Sequence, residues 1–235
     1  MTRRAGEEHR AEGGGPESRS GPQPTALGRT LWYALLWCLC WVVSHVWFGI
    51  RFTGRSRVPP TGPVLLVANH QSYLDPVFVG IASRRQTGAL ARHSLFFWPL
   101  GWLIRSLGAV PIDRGRGGAA GFKATLAMLR QGKTVLVFPE GTRTTDGQLQ
   151  SFHPGFCALA RRSGATIVPV AIDGAFAALP RGASLPHPQP IHVSFCQPIT
   201  QQQATGLADE QLVELVMQRI SDAIKEGRRK CPLCP

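Results

Sequence analysis

Four short apolar runs constrain the fold of this chain more than any other feature: residues 63–69 (PVLLVAN), 134–139 (TVLVFP), 166–172 (TIVPVAI) and 191–199 (IHVSFCQPI). A strand with one wet face alternates apolar and polar residues. These runs instead set Val, Ile and Leu at successive positions, so they read as strands covered on both faces. Amphipathic stretches separate them, as at 125–132 (TLAMLRQG). The rhythm predicts an α/β fold with a mainly parallel sheet flanked by helices. A last helix over about residues 209–226 sets Leu212, Leu215, Val216, Ile220, Ala223 and Ile224 on one stripe, suited to packing on that sheet. Residues 181–190, rich in Pro and Gly, read as a loop.

Ahead of this pattern, residues 31–50 (LWYALLWCLCWVVSHVWFGI) hold no Asp, Glu, Lys or Arg. As a helix the run would rise about 30 Å, the thickness of a bilayer's hydrocarbon core. Trp32, Trp37, Trp41 and Trp47 are spread along it, which suits a helix lying in the interface as well as one that spans. A cleavable signal peptide fits poorly, because the run lies far from the start and meets Arg51, Arg55 and Arg57 rather than a small-residue cleavage site. Residues 1–25, polar and without hydrophobic periodicity, predict a disordered tail. The 235 residues therefore divide into a tail (1–25), a membrane-anchoring helical segment (26–52), one folded domain (53–230) and a short tail (231–235).

After residue 50 there are 21 Lys and Arg against 10 Asp and Glu, so the basic excess belongs to the folded part. It favours an anionic bilayer or a phosphorylated substrate. Nucleic acid is disfavoured, since no recognisable nucleic-acid module or basic run interleaved with aromatics is present. The six cysteines form no disulfide-like framework. Cys231 and Cys234 make a lone CxxC, too little for a metal site, and no metal is expected.

The run 63–69 ends at His70, and Asp75 follows where a helix should begin near Tyr73. Functional groups in α/β sheets gather at the carboxyl ends of strands. A carboxylate at this spacing can curl back to the imidazole, fix its tautomer and leave the other nitrogen to take a proton from a hydroxyl. The plainer alternative is a surface His beside an Asp at a helix N-terminus. Between Phe52 and Glu140 the chain has three acidic residues, Asp75, Asp113 and Glu140, each in a turn after an apolar strand. Arg114 and Arg143 stand in two of these turns, suited to a bidentate grip on phosphate or carboxylate. Gly141 could let the backbone approach such a ligand, and Glu140 could pair with an Arg, stiffening the loop or holding that Arg for substrate. Residues 93–107, with Phe96, Phe97, Trp98 and Trp102, read as an acyl groove or as ordinary core. No nucleophile elbow, Walker loop or dinucleotide fingerprint is present, which favours direct transfer without a covalent enzyme intermediate.

Taken together, these residues resemble the glycerolipid acyltransferases typified by 1-acyl-glycerol-3-phosphate acyltransferase. The HxxxxD box stands as His70 to Asp75 within NHQSYLD, the Arg block as Gly108 to Arg114, the third block as FPEGTR from Phe138 to Arg143, and an apolar block as IVPV at 167–170. The resemblance implies that His70 and Asp75 are catalytic and that Arg114, Glu140, Gly141, Thr142 and Arg143 bind or organise the acceptor. It further implies an acyl-CoA or acyl-ACP donor as co-substrate with no cofactor, a lysophospholipid acceptor, and a place at the cytoplasmic face of the inner membrane. The positive-inside rule agrees, through Arg51, Arg55 and Arg57. Two positions depart from the family pattern. Pro111 stands where Phe is frequent, and His153 where many members have a Lys. A Lys would supply a fixed charge, while an imidazole is largely neutral at pH about 7. The most direct expectation is conversion of 1-acyl-glycerol-3-phosphate to phosphatidic acid. Another lysolipid acceptor, such as lyso-ornithine lipid, stays open, as does a noncatalytic membrane-binding protein that keeps the fold.

Overall fold

The computed structural model describes residues 26–83, 85–92, 109–112, 118–183 and 185–230. The two tails, Arg114 and the run 93–107 lie outside the described residues. The strands are β1 (Arg51–Thr53), β2 (Val64–Ala68), β3 (Thr87–Arg92), β4 (Ala109–Ile112), β5 (Thr134–Val137), β6 (Thr166–Asp173) and β7 (His192–Phe195). They form one sheet in the order β1-β7-β6-β2-β5-β3-β4. The helices are α1 (Ala26–Phe48), α2 (Asp75–Ala82), α3 (Gly118–Arg130), α4 (Gly155–Ser163), α5 (Ala175–Ala178), α6 (Gln201–Gly206) and α7 (Asp209–Lys230).

The uninterrupted apolar runs take the centre of the sheet. Every residue of β2 is buried, because β5 and β6 flank it in parallel and helices cover both faces. Alternation within the run divides its side chains between two cores. Val64, Leu66 and Ala68 join Phe48 of α1 and Phe78, Val79 and Ile81 of α2. Leu65 and Val67 face Leu129 of α3, Phe156 and Leu159 of α4, and Leu212, Val216 and Ile220 of α7. The result is a three-layer α/β/α sandwich. The sheet is mainly parallel as expected, with β7 antiparallel to β6. β1 then pairs parallel with β7, so it runs against the central strands.

Helix α1 lies along the domain. Leu36, Ser44 and Phe48 are buried, and the Phe48 ring meets Phe78 edge-on at 5.4 Å. Leu35, Leu39, Val42, Val43, Val46 and Trp47 form an exposed apolar stripe on the other side. Among the described residues no helix is long and apolar enough to cross a membrane.

Candidate active site

Strand β2 ends in a polar clamp. Asn69 is buried, its Nδ2 donates to the Ile172 carbonyl at 2.8 Å, and its Oδ1 accepts from the Ile172 N–H at 2.8 Å. The side chain thereby satisfies both backbone groups of a β6 residue where the β2 ladder stops. His70 emerges at this carboxyl end, and Asp75 opens α2 two residues after the turn at Tyr73, slightly later than the expected helix start.

The expected pair is assembled. His70 Nδ1 lies 2.8 Å from Asp75 Oδ2, and the same oxygen accepts from the backbone N–H of Gln71 at 2.6 Å and Ser72 at 2.8 Å. Asp75 is fully buried, while the His70 side chain keeps 19% of its surface. Burial pushes the Asp75 carboxyl above the usual carboxylate range, and His70 with the two N–H donors pulls it back. Since Nδ1 faces the carboxylate, Nε2 is the nitrogen left for a substrate proton. The Phe138 ring stacks on the imidazole, with centroids 4.0 Å apart and planes 16° from parallel. Asp75 from below and Phe138 from one side thus fix the ring.

The third block wraps the same strand end. Its Gly141 has φ +70° and its N–H donates to the Phe138 carbonyl, closing a turn that needs a residue without a Cβ. The turn gives this glycine a local reason, beside the expected one of close approach by a ligand. Beyond the turn, Thr144 N–H donates to the His70 carbonyl at 2.9 Å. Glu140 is buried, and its Oε1 accepts from the His70 N–H at 3.3 Å. Its Oε2 is buried without a hydrogen-bond partner among the described residues. Burial pushes the Glu140 carboxyl up to about 7, against the pull of the His70 and Gln150 backbone groups, with the Asp75 charge adding to the rise.

Among the described residues Glu140 forms no ion pair with an arginine. Its carboxylate turns inward beneath the His70 backbone, because that N–H would otherwise be an unsatisfied donor at the strand end. Arg143 instead places its guanidinium 3.4 Å from the Tyr73 ring centroid and forms no ion pair among the described residues. Thr142 is exposed on the turn, and His153 stands beside it: a Cβ on Gly141 would lie 3.6 Å from His153 Cδ2. His70, Asp75, Glu140, Gly141, Thr142 and Arg143 are thus brought to one strand-end face, and Arg114 lies outside the described residues.

Asn69, Tyr73 and Phe138 stand within the sequence blocks, which announce no role for them. Their partners sit on other elements, and no local pattern announces them. A groove of 650 Å³ between α7 and residues 149–154, lined by Leu149, Phe152, Val213 and Met217, contains none of these residues. Among the described residues no group of three or more His, Cys, Asp or Glu could hold a metal ion.

Residues 49–173 match the acyltransferase domain family. A chloroplastic 1-acyl-sn-glycerol-3-phosphate acyltransferase of Arabidopsis thaliana is 30% identical over 154 residues, covering 64% of this chain and 42% of the relative. A lyso-ornithine lipid O-acyltransferase of Pseudomonas aeruginosa is 35% identical over 139 residues, covering 58% of this chain and 52% of the relative. The chain spans about half the length of the curated relatives it matches. The crystal structure of the 1-acyl-sn-glycerophosphate acyltransferase PlsC from Thermotoga maritima shares the fold, with a TM-score of 0.73, 24% identity, and coverage of 86% of this chain and 82% of that one. With the family match covering more than half its length, and the HxxxxD box and the FPEGTR block folded onto one end of the sheet, the chain belongs to the acyltransferase family.

Proposed function

We propose that this protein transfers a fatty acyl group from an acyl-CoA or acyl-carrier thioester to the free hydroxyl of a lysophospholipid, with 1-acyl-glycerol-3-phosphate as acceptor and phosphatidic acid as product. The observation that carries the reading is the His70–Asp75 pair, a 2.8 Å contact to a fully buried carboxylate beside a partly exposed imidazole. In this scheme Nε2 of His70 takes the acceptor's hydroxyl proton as the oxygen attacks the thioester carbonyl carbon. Asp75 stabilises the imidazolium. Collapse of the tetrahedral intermediate breaks the C–S bond, and the departing thiolate takes the proton back from His70. The donor supplies the activated acyl group, so no further cofactor is required.

Arg143, held by Tyr73, and Arg114 serve the acceptor's anionic group, and His153 stands beside Gly141 of the same turn as Arg143. Glu140 holds the His70 backbone in place. The exposed stripe on α1 lies in the bilayer interface at the cytoplasmic face, where the acceptor resides.

One specific observation favours a second acceptor: an imidazole, rather than an ammonium, stands next to Gly141. A zwitterionic lysolipid such as lyso-ornithine lipid needs less fixed positive charge there. A panel of lysolipid acceptors given one labelled acyl thioester separates the readings. Labelled phosphatidic acid is the expected major product. A product formed on the amino-acid lysolipid alone would replace the phosphate acceptor while keeping the chemistry, and no product on any acceptor would end the enzymatic reading.

A further inference from the structure

The open edge of the sheet gathers cations that the proposed reaction does not use. β1 is the terminal strand, and its register sets Arg51 opposite His192 of β7. Helix α7 closes onto the same histidine. A Cβ at Gly227 would lie 2.5 Å from His192 Nδ1, so this helical glycine lets the last turns approach the strand. Arg228 then donates from Nε and Nη2 to the Asp173 carboxylate at 3.0 and 2.8 Å, which pins the end of α7 to the end of β6. Both Arg51 and Lys230 are near enough to act on the charge of His192. Arg57 donates to the Phe195 carbonyl and acts on Glu226. Arg51, Arg57, Arg228, Arg229 and Lys230 are all exposed around this junction; Arg228 pairs with Asp173 and Lys230 with Glu226, so the cluster keeps a surplus of three positive charges, five cations against two acids.

Two ordinary causes account for part of the cluster. A charge on an edge strand discourages pairing with another sheet, which covers Arg51. Cations in a last helical turn favour the helix dipole, which covers residues 228–230. Neither explains why the chain brings the two groups together, nor why they meet where they do. Gly49 and Ile50 connect Arg51 directly to the exposed Val46 and Trp47 at the end of the α1 stripe. An apolar stripe that runs into a cationic cluster is the surface that an anionic bilayer fits, with head groups on the cations and acyl chains on the stripe. By strand spacing Arg51 lies about 14 Å from β2, three strands away in the sheet, while Asp173 at the inner side of the junction is one strand away. That distance sets Arg51 apart from the strand that carries His70.

We propose that the β1 edge and the last turn of α7 form a second lipid contact, which binds anionic head groups while the α1 stripe enters the apolar layer. This rests on the membrane reading above and adds to it a preference for head-group charge. The test compares the full chain with the variant Arg51→Gln/Arg229→Gln/Lys230→Gln, by flotation with vesicles of phosphatidylcholine alone and of phosphatidylcholine mixed equally with phosphatidylglycerol. Wild type should favour the anionic vesicles, and the variant should lose about fivefold in that preference per cation removed. It should keep wild-type binding to the neutral vesicles and wild-type turnover of a short-chain, water-soluble lysolipid. Arg51→Lys/Arg229→Lys should restore the preference.

Equal binding of variant and wild type to anionic vesicles overturns the lipid contact. So does a raised thioester KM in the soluble assay with vesicle binding unchanged, which would give the cluster to the acyl donor instead. Wild type that floats with neither vesicle removes both the contact and the membrane reading. The soluble assay still judges the acyltransferase reading on its own.

Discussion

The Arg143 guanidinium lies 3.4 Å from the centroid of the Tyr73 ring, joining the HxxxxD block to the third block through a cation–π contact. Tyr73 is 54% exposed, so its face is held out to receive the cation rather than buried for packing. Such a contact at an exposed site is worth about 0.5–1 kcal/mol. Tyr73→Ala should therefore raise the acceptor KM by about two- to fivefold and leave the thioester KM unchanged, while Tyr73→Phe stays near wild type. Separate titrations of the two substrates check this. Equal changes in both constants would argue against an acceptor role for Arg143.

His70→Ala should lower turnover by about 10² to 10⁴, the usual contribution of a general base. Asp75→Asn should be similarly severe, because an amide both removes the charge and can favour the wrong imidazole tautomer. Single-turnover assays on protein that matches wild type in circular dichroism would measure both. A His70→Ala enzyme above a tenth of wild-type turnover would sink the base role.

Glu140 makes stability depend on pH. Its carboxyl is pushed up to about 7 from an ordinary value of 4.5, so the folded chain holds this proton where the unfolded chain has released it. The contribution is fully present below about pH 4.5 and is lost as pH rises to about 7. Glu140→Gln keeps an acceptor for the His70 N–H and does not titrate. Denaturant unfolding at several pH values should show wild type losing on the order of 1–3 kcal/mol relative to this variant across that window. Parallel curves for the two proteins would refute the assignment.

His153→Lys tests the acceptor's charge. Beside Gly141 a fixed ammonium should tighten a phosphate-bearing acceptor by about 1.5–3 kcal/mol if it makes a charged hydrogen bond, and Arg114→Ala should weaken that acceptor by a similar factor. Competition between lysophosphatidic acid and a zwitterionic lysolipid reads both variants. No gain for the phosphate acceptor in His153→Lys would favour the second acceptor.

The central strands were legible because burial on both faces writes an uninterrupted apolar run, as in β2 and β6. β1 and β3 were not legible. Arg51–Thr53 is too short and too polar to stand out, and Thr87–Arg92 (TGALAR) lacks β-branched residues beyond its threonine. Helix α6 was missed although Thr200 and Gln203 form a capping box that the text displays. The reversal of β7 could not be read, since a connection of this length serves either direction. In the site, the His70–Asp75 contact followed from local spacing, within one turn of chain. The Glu140–His70 bond and the Phe138 stack depend on β2 and β5 being neighbours, which is a fact of topology.

On the proposed placement of α1 against a bilayer, that reversal of β7 sets the height of the enzyme. Because β1 follows β7 rather than β6, the chain leaving α1 enters the sheet at the end where β2 stops and His70 begins. If α1 lies in the interface as proposed, the bilayer surface and the base come to one level. A lysolipid can then arrive by lateral diffusion with its tail still among its neighbours, presenting its hydroxyl sideways. Lifting that tail into water would cost about 0.8 kcal/mol for each methylene, enough over a long chain to exceed most of what the head group could return on binding. A parallel β7 would have put the anchor at the opposite end of the strands and made that extraction unavoidable.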